Sequence, residues 1–485
     1  MITDRSIYTI LPFRFVRFGP DVLVVNEAGE YIFISGKDFE RLRSHDLHPK
    51  EEIFLDLKNK HVVADTDLTL PIYLLATKYR TKKSFINDFT ALHIFVITLR
   101  CNQKCRYCQV SSEDENRYDM DMNIETAKKC VDLVFRSRSP NIKIEFQGGE
   151  PLLNFEIVRY IVEYAKKLNK IYRKSLEFVI CTNLLGLQDE ILSYLRENEI
   201  WVSTSLDGPR YFHDTNRISR KGIGTYNVIK ESIRVAQDRL GIERVSALMV
   251  TTRDNIHHLD KVVDEYISQR FNAIFIRSLH SYGRALDEKL GYDVITFVDS
   301  YIKVLNYILK LNLEGIAFSE QYATILLSKI LTPFSTGFVD LQSPVGVSCV
   351  AYDFKGDVYI SDEARMLAKM GKKRFLMGNV YINTYEEIFR GKTIREIVES
   401  SCVETMPLCS ECAFQTYCGA DPVRNYCVQG DLLGHRPTSE FHQINFFIIR
   451  HLFELIKQND PQIMNVFWSW ITNRSVEEIK GIKRG

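Results

Sequence analysis

The chain has 485 residues, with 63 lysines and arginines against 62 aspartates and glutamates and a formal net charge of +1. That length exceeds one ordinary core and points to two or three domains, while the charge balance excludes a bulk electrostatic partner such as nucleic acid. The opening Met-Ile-Thr-Asp-Arg-Ser carries no charged-then-apolar signal pattern and no apolar run is long enough to span a bilayer, so a cytoplasmic protein with no membrane partner is expected.

Along the chain, residues 1–75 read as a small unit of their own. Short strands are expected at 13–18, 22–26 and 31–34, with a turn at Glu27-Ala-Gly-Glu30, then helical segments near 38–43 and 50–60 ending close to Val62-Val63. This is an α+β unit of winged-helix appearance. From about 90 to 315 strands and helices alternate. Strands are expected at 92–98, 142–146, 177–182, 201–205, 244–251 and 273–277. Helices at 124–136, 156–168, 189–197, 226–240 and 255–269 supply the crossovers that parallel strands require. In such an α/β architecture the loops at the carboxyl ends of the strands converge on one site.

The first of those loops holds Cys101, Cys105 and Cys108 in the run Arg100-Cys-Asn-Gln-Lys-Cys-Arg-Tyr-Cys-Gln109. A four-iron cluster normally takes four thiolates, so a compact set of three leaves one iron for a substrate or cofactor. Zinc also accepts closely spaced cysteines and is the alternative, although structural zinc usually takes four ligands in paired units. The second strand ends in Gly148-Gly149-Glu150-Pro151 at the same sheet end. Its glycines allow close approach by a ligand, and Glu150 can accept a bond from an ammonium.

At these residues the chain resembles the radical S-adenosylmethionine (SAM) superfamily, whose signature is CxxxCxΦC, here with Tyr107 as the aromatic, followed by a GGE motif. The resemblance implies a partial (β/α)6 barrel, a [4Fe–4S] cluster chelated by SAM on its unique iron, and reductive cleavage of SAM to a 5′-deoxyadenosyl radical. It places SAM against Tyr107, Gly148, Gly149 and Glu150. At later strand ends it adds Asn183 and Ser205, and Arg217 for the carboxylate, with Asp207 and Arg220 as further candidates. No residue pattern names a catalytic acid or base.

A second cysteine group follows residue 340: Cys349, Cys402, Cys409, Cys412, Cys418 and Cys427. The core Cys409-Ser-Glu-Cys412-Ala-Phe-Gln-Thr-Tyr-Cys418 resembles the CxxCx5C segment of the SPASM auxiliary-cluster domain. Ser361 and Pro422 stand where that domain expects further cysteines, so one auxiliary [4Fe–4S] cluster is expected, on Cys409, Cys412, Cys418 and either Cys427 or His442, with Cys402 a third candidate. Zinc in a closed four-ligand site is again the alternative. Cys130, Cys181 and Cys349 read as ordinary buried cysteines. The expected division is a leader-recognition-like domain at 1–75, the barrel at 76–330, the iron–sulfur domain at 331–450 and a helical tail at 451–485.

The phrases at 356–367, 418–422 and 429–439, with Leu75-Ala-Thr-Lys-Tyr-Arg-Thr-Lys-Lys-Ser84, look like the His-Xaa-Ser system radical SAM maturases. The resemblance implies modification of a ribosomally made precursor peptide, such as an oxidative crosslink. It also implies an electron donor such as flavodoxin or ferredoxin and a paired radical SAM partner. The 1–75 unit resembles domains that capture a precursor segment by adding it as a strand to a sheet edge, a structural cap on the barrel being its alternative. Two other readings stay open: maturation of a folded protein's side chain, of sulfatase type, and a zinc-stabilised binding scaffold without catalysis.

Overall fold

The computed structural model describes residues 8–65, 67–287, 290–334 and 347–481. Its central element is the strand Leu92–Thr98, Leu-His-Ile-Phe-Val-Ile-Thr, buried from His93 onwards because both faces of the sheet are covered there. On one side of it lie Asn141–Gly148, Ser175–Cys181, Trp201–Ser205 and Val245–Leu248, each parallel to its neighbour. The crossover helices Ile124–Val134, Phe155–Tyr172, Asp189–Glu197 and Tyr226–Leu240 bury their apolar stripes against one face of the sheet. The alternation along the strands sorts the other face. Ile144, Phe146, Ile180 and Val202 are buried in the core, while Glu145, Gln147, Cys181, Ser203 and Ser205 stay half-buried on the opposite, polar side.

The sixth strand departs from expectation. Only Ala273–Ile274 is extended, and it pairs with Ser319–Glu320 instead of Val245–Leu248. The buried Glu320 carboxylate explains this: it accepts the Ile276 N–H at 3.0 Å and the Ala323 N–H at 2.6 Å, holding the segment by a side chain where a ladder would have held it. On the far side of Leu92–Thr98 the sheet continues instead with Cys349–Tyr352, parallel, and then with the antiparallel Asp357–Tyr359 and Leu376–Asn379. The cysteine-rich tail is therefore continuous with the barrel sheet.

The first unit has the antiparallel order Phe13–Phe18, Asp21–Asn26, Tyr31–Ser35, with helices Gly36–Arg43 and Glu52–Asn59. Its tight Gly19-Pro20 turn uses a glycine at φ +63°. One face, Val22, Val24 and Ile34, packs on Phe39, Leu42, Phe54 and Leu57. The other, Phe18, Leu23 and Val25, joins the main core, and Tyr31 and Phe33 set their rings 5.1 and 6.3 Å from Phe453. Phe453 lies in the helix Glu440–Gln458, which starts at Ser439, whose hydroxyl accepts the His442 N–H, and stops at Asn459 in the left-handed conformation. That continuous helix crosses the expected boundary at 450/451, and the helix Thr69–Lys82 crosses the one at 75/76. Among the described residues no helix is long and apolar enough to cross a membrane.

Candidate active site

The loop carrying Cys101, Cys105 and Cys108 leaves the end of Leu92–Thr98 and is tied down along its length. The Gly149 N–H donates to the Thr98 carbonyl at 2.8 Å and the Glu150 N–H to that of Arg100 at 2.7 Å. A Cβ on Gly148 or on Gly149 would lie 2.1 Å from the Thr98 or Arg100 carbonyl oxygen respectively. The two glycines thus serve the contact between the two strand ends, which no side chain could survive. From further along the chain, the Arg106 N–H donates to Asn216 and the Arg284 N–H to Cys108, and the Arg284 guanidinium reaches the carbonyls of Cys105 and Ser112. Arg220 donates to the carbonyls of Cys101 and Glu113, so this arginine holds backbone.

Glu150 is held by protein donors. Its carboxylate is fully buried and turned to protein donors, accepting the Thr182 hydroxyl at 2.6 Å, the Asn183 N–H at 2.8 Å and the Leu152 N–H at 3.0 Å. Burial pushes its carboxyl up to about 7, against the opposing pull of those donors. Asn183 lies where expected at the third strand end. Its amide donates to Asn102 at 2.8 Å and lies 3.8 Å from the Cys101 sulfur. Ser205 ends its strand on the polar face. Arg217 is buried between Asp207, to which its Nε donates at 3.2 Å, the Tyr107 ring at 5.2 Å, and the Cys105 sulfur, 3.9 Å from Nη1. The Tyr107 hydroxyl donates to the same Asp207 at 2.6 Å. Asp207, with no exposed surface, is thus the anchor of both groups.

Burial is the larger effect on Cys101 and Cys105, and their thiol neighbours add to it: Cys101 is driven far up and Cys105 to about 11, while Arg217 and Arg284 draw Cys105 back down. Among the described residues no three His, Cys, Asp or Glu side chains are gathered closely enough to hold a single metal ion. Three neighbouring thiols backed by two guanidiniums are a donor set that suits an anionic iron–sulfur cluster. Beside them on the polar face, the Cys181 thiol lies 3.4 Å from the Glu145 carboxylate, which also accepts the Gln147 amide.

In the tail, Cys409, Cys412 and Cys418 are likewise mutual electrostatic neighbours. Each has a cation beside it: Arg436 bonds Cys409, Arg14 lies near Cys412, and the fully buried Lys329 lies near Cys418. The Gln415 amide nitrogen, inside the same loop, is buried without a partner. A cluster fits this donor set too. His442 shares Arg436 with Cys409, and one helical turn on, Phe446 packs 5.3 Å from Phe414 between the cysteines. Cys427 goes elsewhere: its helix, Pro422–Gln429, carries the thiol to the Ser281 carbonyl at 3.7 Å, with Lys372, Arg424 and Asp421 around it. Cys402 sits 3.5 Å from Glu404. Ser361 caps the helix Asp362–Lys369 and Pro422 opens its own helix, so both positions that lack cysteine are used to start helices. All eleven cysteines are free.

The Radical SAM superfamily model matches residues 95–266. A cysteine-type anaerobic sulfatase-maturating enzyme of Clostridium novyi is 26% identical over 343 residues, 67% of this chain and 85% of that protein. Among solved structures, native anSMEcpe with bound AdoMet superposes with a TM-score of 0.64 at 19% identity, over 78% of this chain and 99% of that one. Streptococcus suis SuiB bound to precursor peptide SuiA gives 0.54 at 13% identity, over 90% of this chain and 99% of that one. The chain carries a radical SAM domain at residues 95–266, of a superfamily that uses a [4Fe–4S] cluster and SAM, and it is an enzyme with homology to sulfatase-maturating enzymes over two thirds of its length.

Proposed function

We propose that the enzyme modifies a side chain of a ribosomally made precursor peptide, with Cys101, Cys105 and Cys108 holding the SAM-binding cluster. The observation that carries this reading is the locking of the Gly148-Gly149-Glu150 strand end onto the cysteine loop, beside a polar sheet face wide enough to leave Glu145, Cys181 and Ser203 half-buried. When bound, the cluster and SAM supply a carbon radical able to take a hydrogen atom from the substrate. The chain's own groups position the reactants. Gly148, Gly149, Asn183 and Ser205 face SAM from three strand ends, Tyr107 and Arg217 do so from the Asp207 anchor, and Glu150 keeps the second strand end in place. Cys409, Cys412, Cys418 and His442 hold one auxiliary cluster. The reductant is a small electron carrier of flavodoxin or ferredoxin type, and free cysteines throughout suit the cytoplasm. The tail phrases favour the His-Xaa-Ser subgroup with its paired maturase.

The precursor enters this reading through the strand Phe13–Phe18, which among the described residues pairs on one side only and exposes Phe15 at 48%. The second reading, maturation of a folded protein side chain, is favoured by the likeness to sulfatase-maturating enzymes over most of their length. Two experiments separate them. Anaerobic reconstitution with iron, sulfide and SAM, followed by mass analysis of small precursors encoded nearby, should yield a modified peptide. Phe15→Glu should weaken precursor binding at least tenfold while sparing SAM cleavage. Unchanged binding together with modification of a sulfatase peptide overturns the first reading in favour of the second.

A further inference from the structure

Beside the tail cysteine loop, two buried cations, Arg436 and Lys82, have no carboxylate partner among the described residues. Arg436, 6% exposed, has as its polar contacts the Met406 sulfur at 2.7 Å and the Cys409 thiol. Lys82, 2% exposed, donates to the carbonyls of Lys329 and Thr332 and stands 5.7 Å from the centre of the Tyr417 ring, next to Cys418. Among the described residues neither Arg436 nor Lys82 has a carboxylate within 4.0 Å. Lys329, wholly buried, stands beside Cys418. Removing a cation from water costs several kcal/mol unless an anion or a full set of acceptors receives it. Neutral thiols, a thioether and two carbonyls are a thin return for two buried cations.

We propose that Arg436 and Lys82, together with Lys329, are the counter-charge of an anionic iron–sulfur cluster on Cys409, Cys412 and Cys418, and that they hold its reduction potential up. The inference rests on the reading that these thiols carry a cluster. With four thiolates a [4Fe–4S] cluster is a dianion, and with an imidazole in one place a monoanion; either gains a further negative charge on one-electron reduction. Nearby cations favour the more negative form, and net charge and burial are among the terms that set such potentials. The three residues come from separate parts of the chain, the helix Thr69–Lys82, the helix Gln321–Leu331 and the turn Arg436–Thr438. They are positioning residues: none is asked to touch substrate.

The test is a redox titration of the reconstituted full-length protein, followed by electron paramagnetic resonance, in wild type, Arg436→Met, Arg436→Lys and Lys82→Met. The methionine variants should show at least a tenfold lower reduced-to-oxidised ratio of the tail signal at a fixed poise, equal to about 59 mV for a one-electron couple. Arg436→Lys should restore most of it. The tail signal is the one lost in Cys409→Ser/Cys412→Ser, and that variant separates the two failures. If its iron content equals wild type, there is no tail cluster and the underlying reading fails. If its iron falls but Arg436→Met and Lys82→Met titrate like wild type, the cluster stands and the proposed role of the cations is overturned. Should Arg436→Met fail to load iron, Lys82→Met, at a residue that among the described residues bonds carbonyls and no thiol, decides alone.

Discussion

Glu150 offers the sharpest test of how the site is built. Its carboxylate ties the second strand end to the third by accepting from Thr182, Asn183 and Leu152, and it has no exposed surface. A carboxyl raised from 4.5 to about 7 binds its proton more tightly in the folded state. Stability from this group is therefore fully present below about pH 4.5 and is lost as pH rises through about 7. Between pH 5 and pH 8 that loss amounts to about 2–3 kcal/mol. Glu150→Gln cannot titrate, and its NH2 group can face at most one of three donors without conflict, so it should be destabilised by about 1–3 kcal/mol at pH 5. The gap between wild type and variant should then close, or reverse, by pH 8. Glu320 is also raised to about 7, but it is present in both proteins and cancels from the difference. Urea melts of cluster-free protein under anaerobic conditions at pH 5, 6, 7 and 8 measure it. A stability difference that stays constant over that range would show that the carboxylate is ionised in the fold throughout, and the account of this strand end would be wrong.

Asp207→Asn leaves the buried Arg217 guanidinium without its anion and should cost about 3–5 kcal/mol, read as a lower urea midpoint, together with weaker SAM binding by calorimetry. Phe453→Ala removes a fully buried ring from between Tyr31, Phe414 and Tyr417 and should cost about 3–5 kcal/mol. Hydrogen exchange should speed up in the strand Tyr31–Ser35 in that variant, and unchanged exchange there would show that the first unit holds its place without the tail helix. His442→Ala should lower the iron held by the tail and His442→Cys should restore it with a lower potential, whereas Cys427→Ala should leave both unchanged. Arg220 and Arg284 grip the backbone of the first cysteine loop, at Cys101 and Glu113 and at Cys105 and Ser112 respectively, so Arg284→Met should speed iron loss to a chelator severalfold at unchanged overall stability.

What the sequence discloses about this protein is what local pattern can encode. The run Leu92–Thr98 announces itself by six apolar or β-forming residues out of seven, and the cysteine loop follows from spacing alone. Helix ends such as Asn123 before Ile124–Val134 are legible because caps are local. The residues that surround the cysteines are not. Arg284 reaches Cys105 across 179 positions, and the basic residues Lys82, Lys329 and Arg436 would each be read as solvent-facing, as most lysines and arginines are. The motif at Glu150 shows the carboxylate but not the three donors that fold around it. Nor does spacing show where Cys427 goes: nine residues from Cys418, it is carried to the Ser281 carbonyl by the helix that Asp421 caps and Pro422 opens. The sixth strand was lost to a buried Glu320, whose effect on Ile276 no periodicity contains.

The way the chain closes on itself changes which experiments are meaningful. The expected domains at 1–75 and 331–450 invite deletion as a test of leader recognition, yet the first unit shares its sheet face with the main core and gives Arg14 to the tail loop, where it donates to the Ser410 carbonyl. Tyr417, next to Cys418, donates to the Gly29 carbonyl at 2.8 Å, and a side chain on Gly29 would sit 3.1 Å from Thr416. Removing residues 1–75 would therefore bare Phe453 and Tyr417, cut the helix Thr69–Lys82 and disturb the tail cysteines at once. Loss of activity after such a deletion would be equally consistent with a lost peptide site and a damaged metal site. A single exposed residue on the open edge, Phe15, leaves those contacts intact, because its ring meets Phe13 and Phe39 of its own unit. Binding measured in Phe15→Glu, with tail iron as the internal control, is the measurement that isolates recognition from assembly.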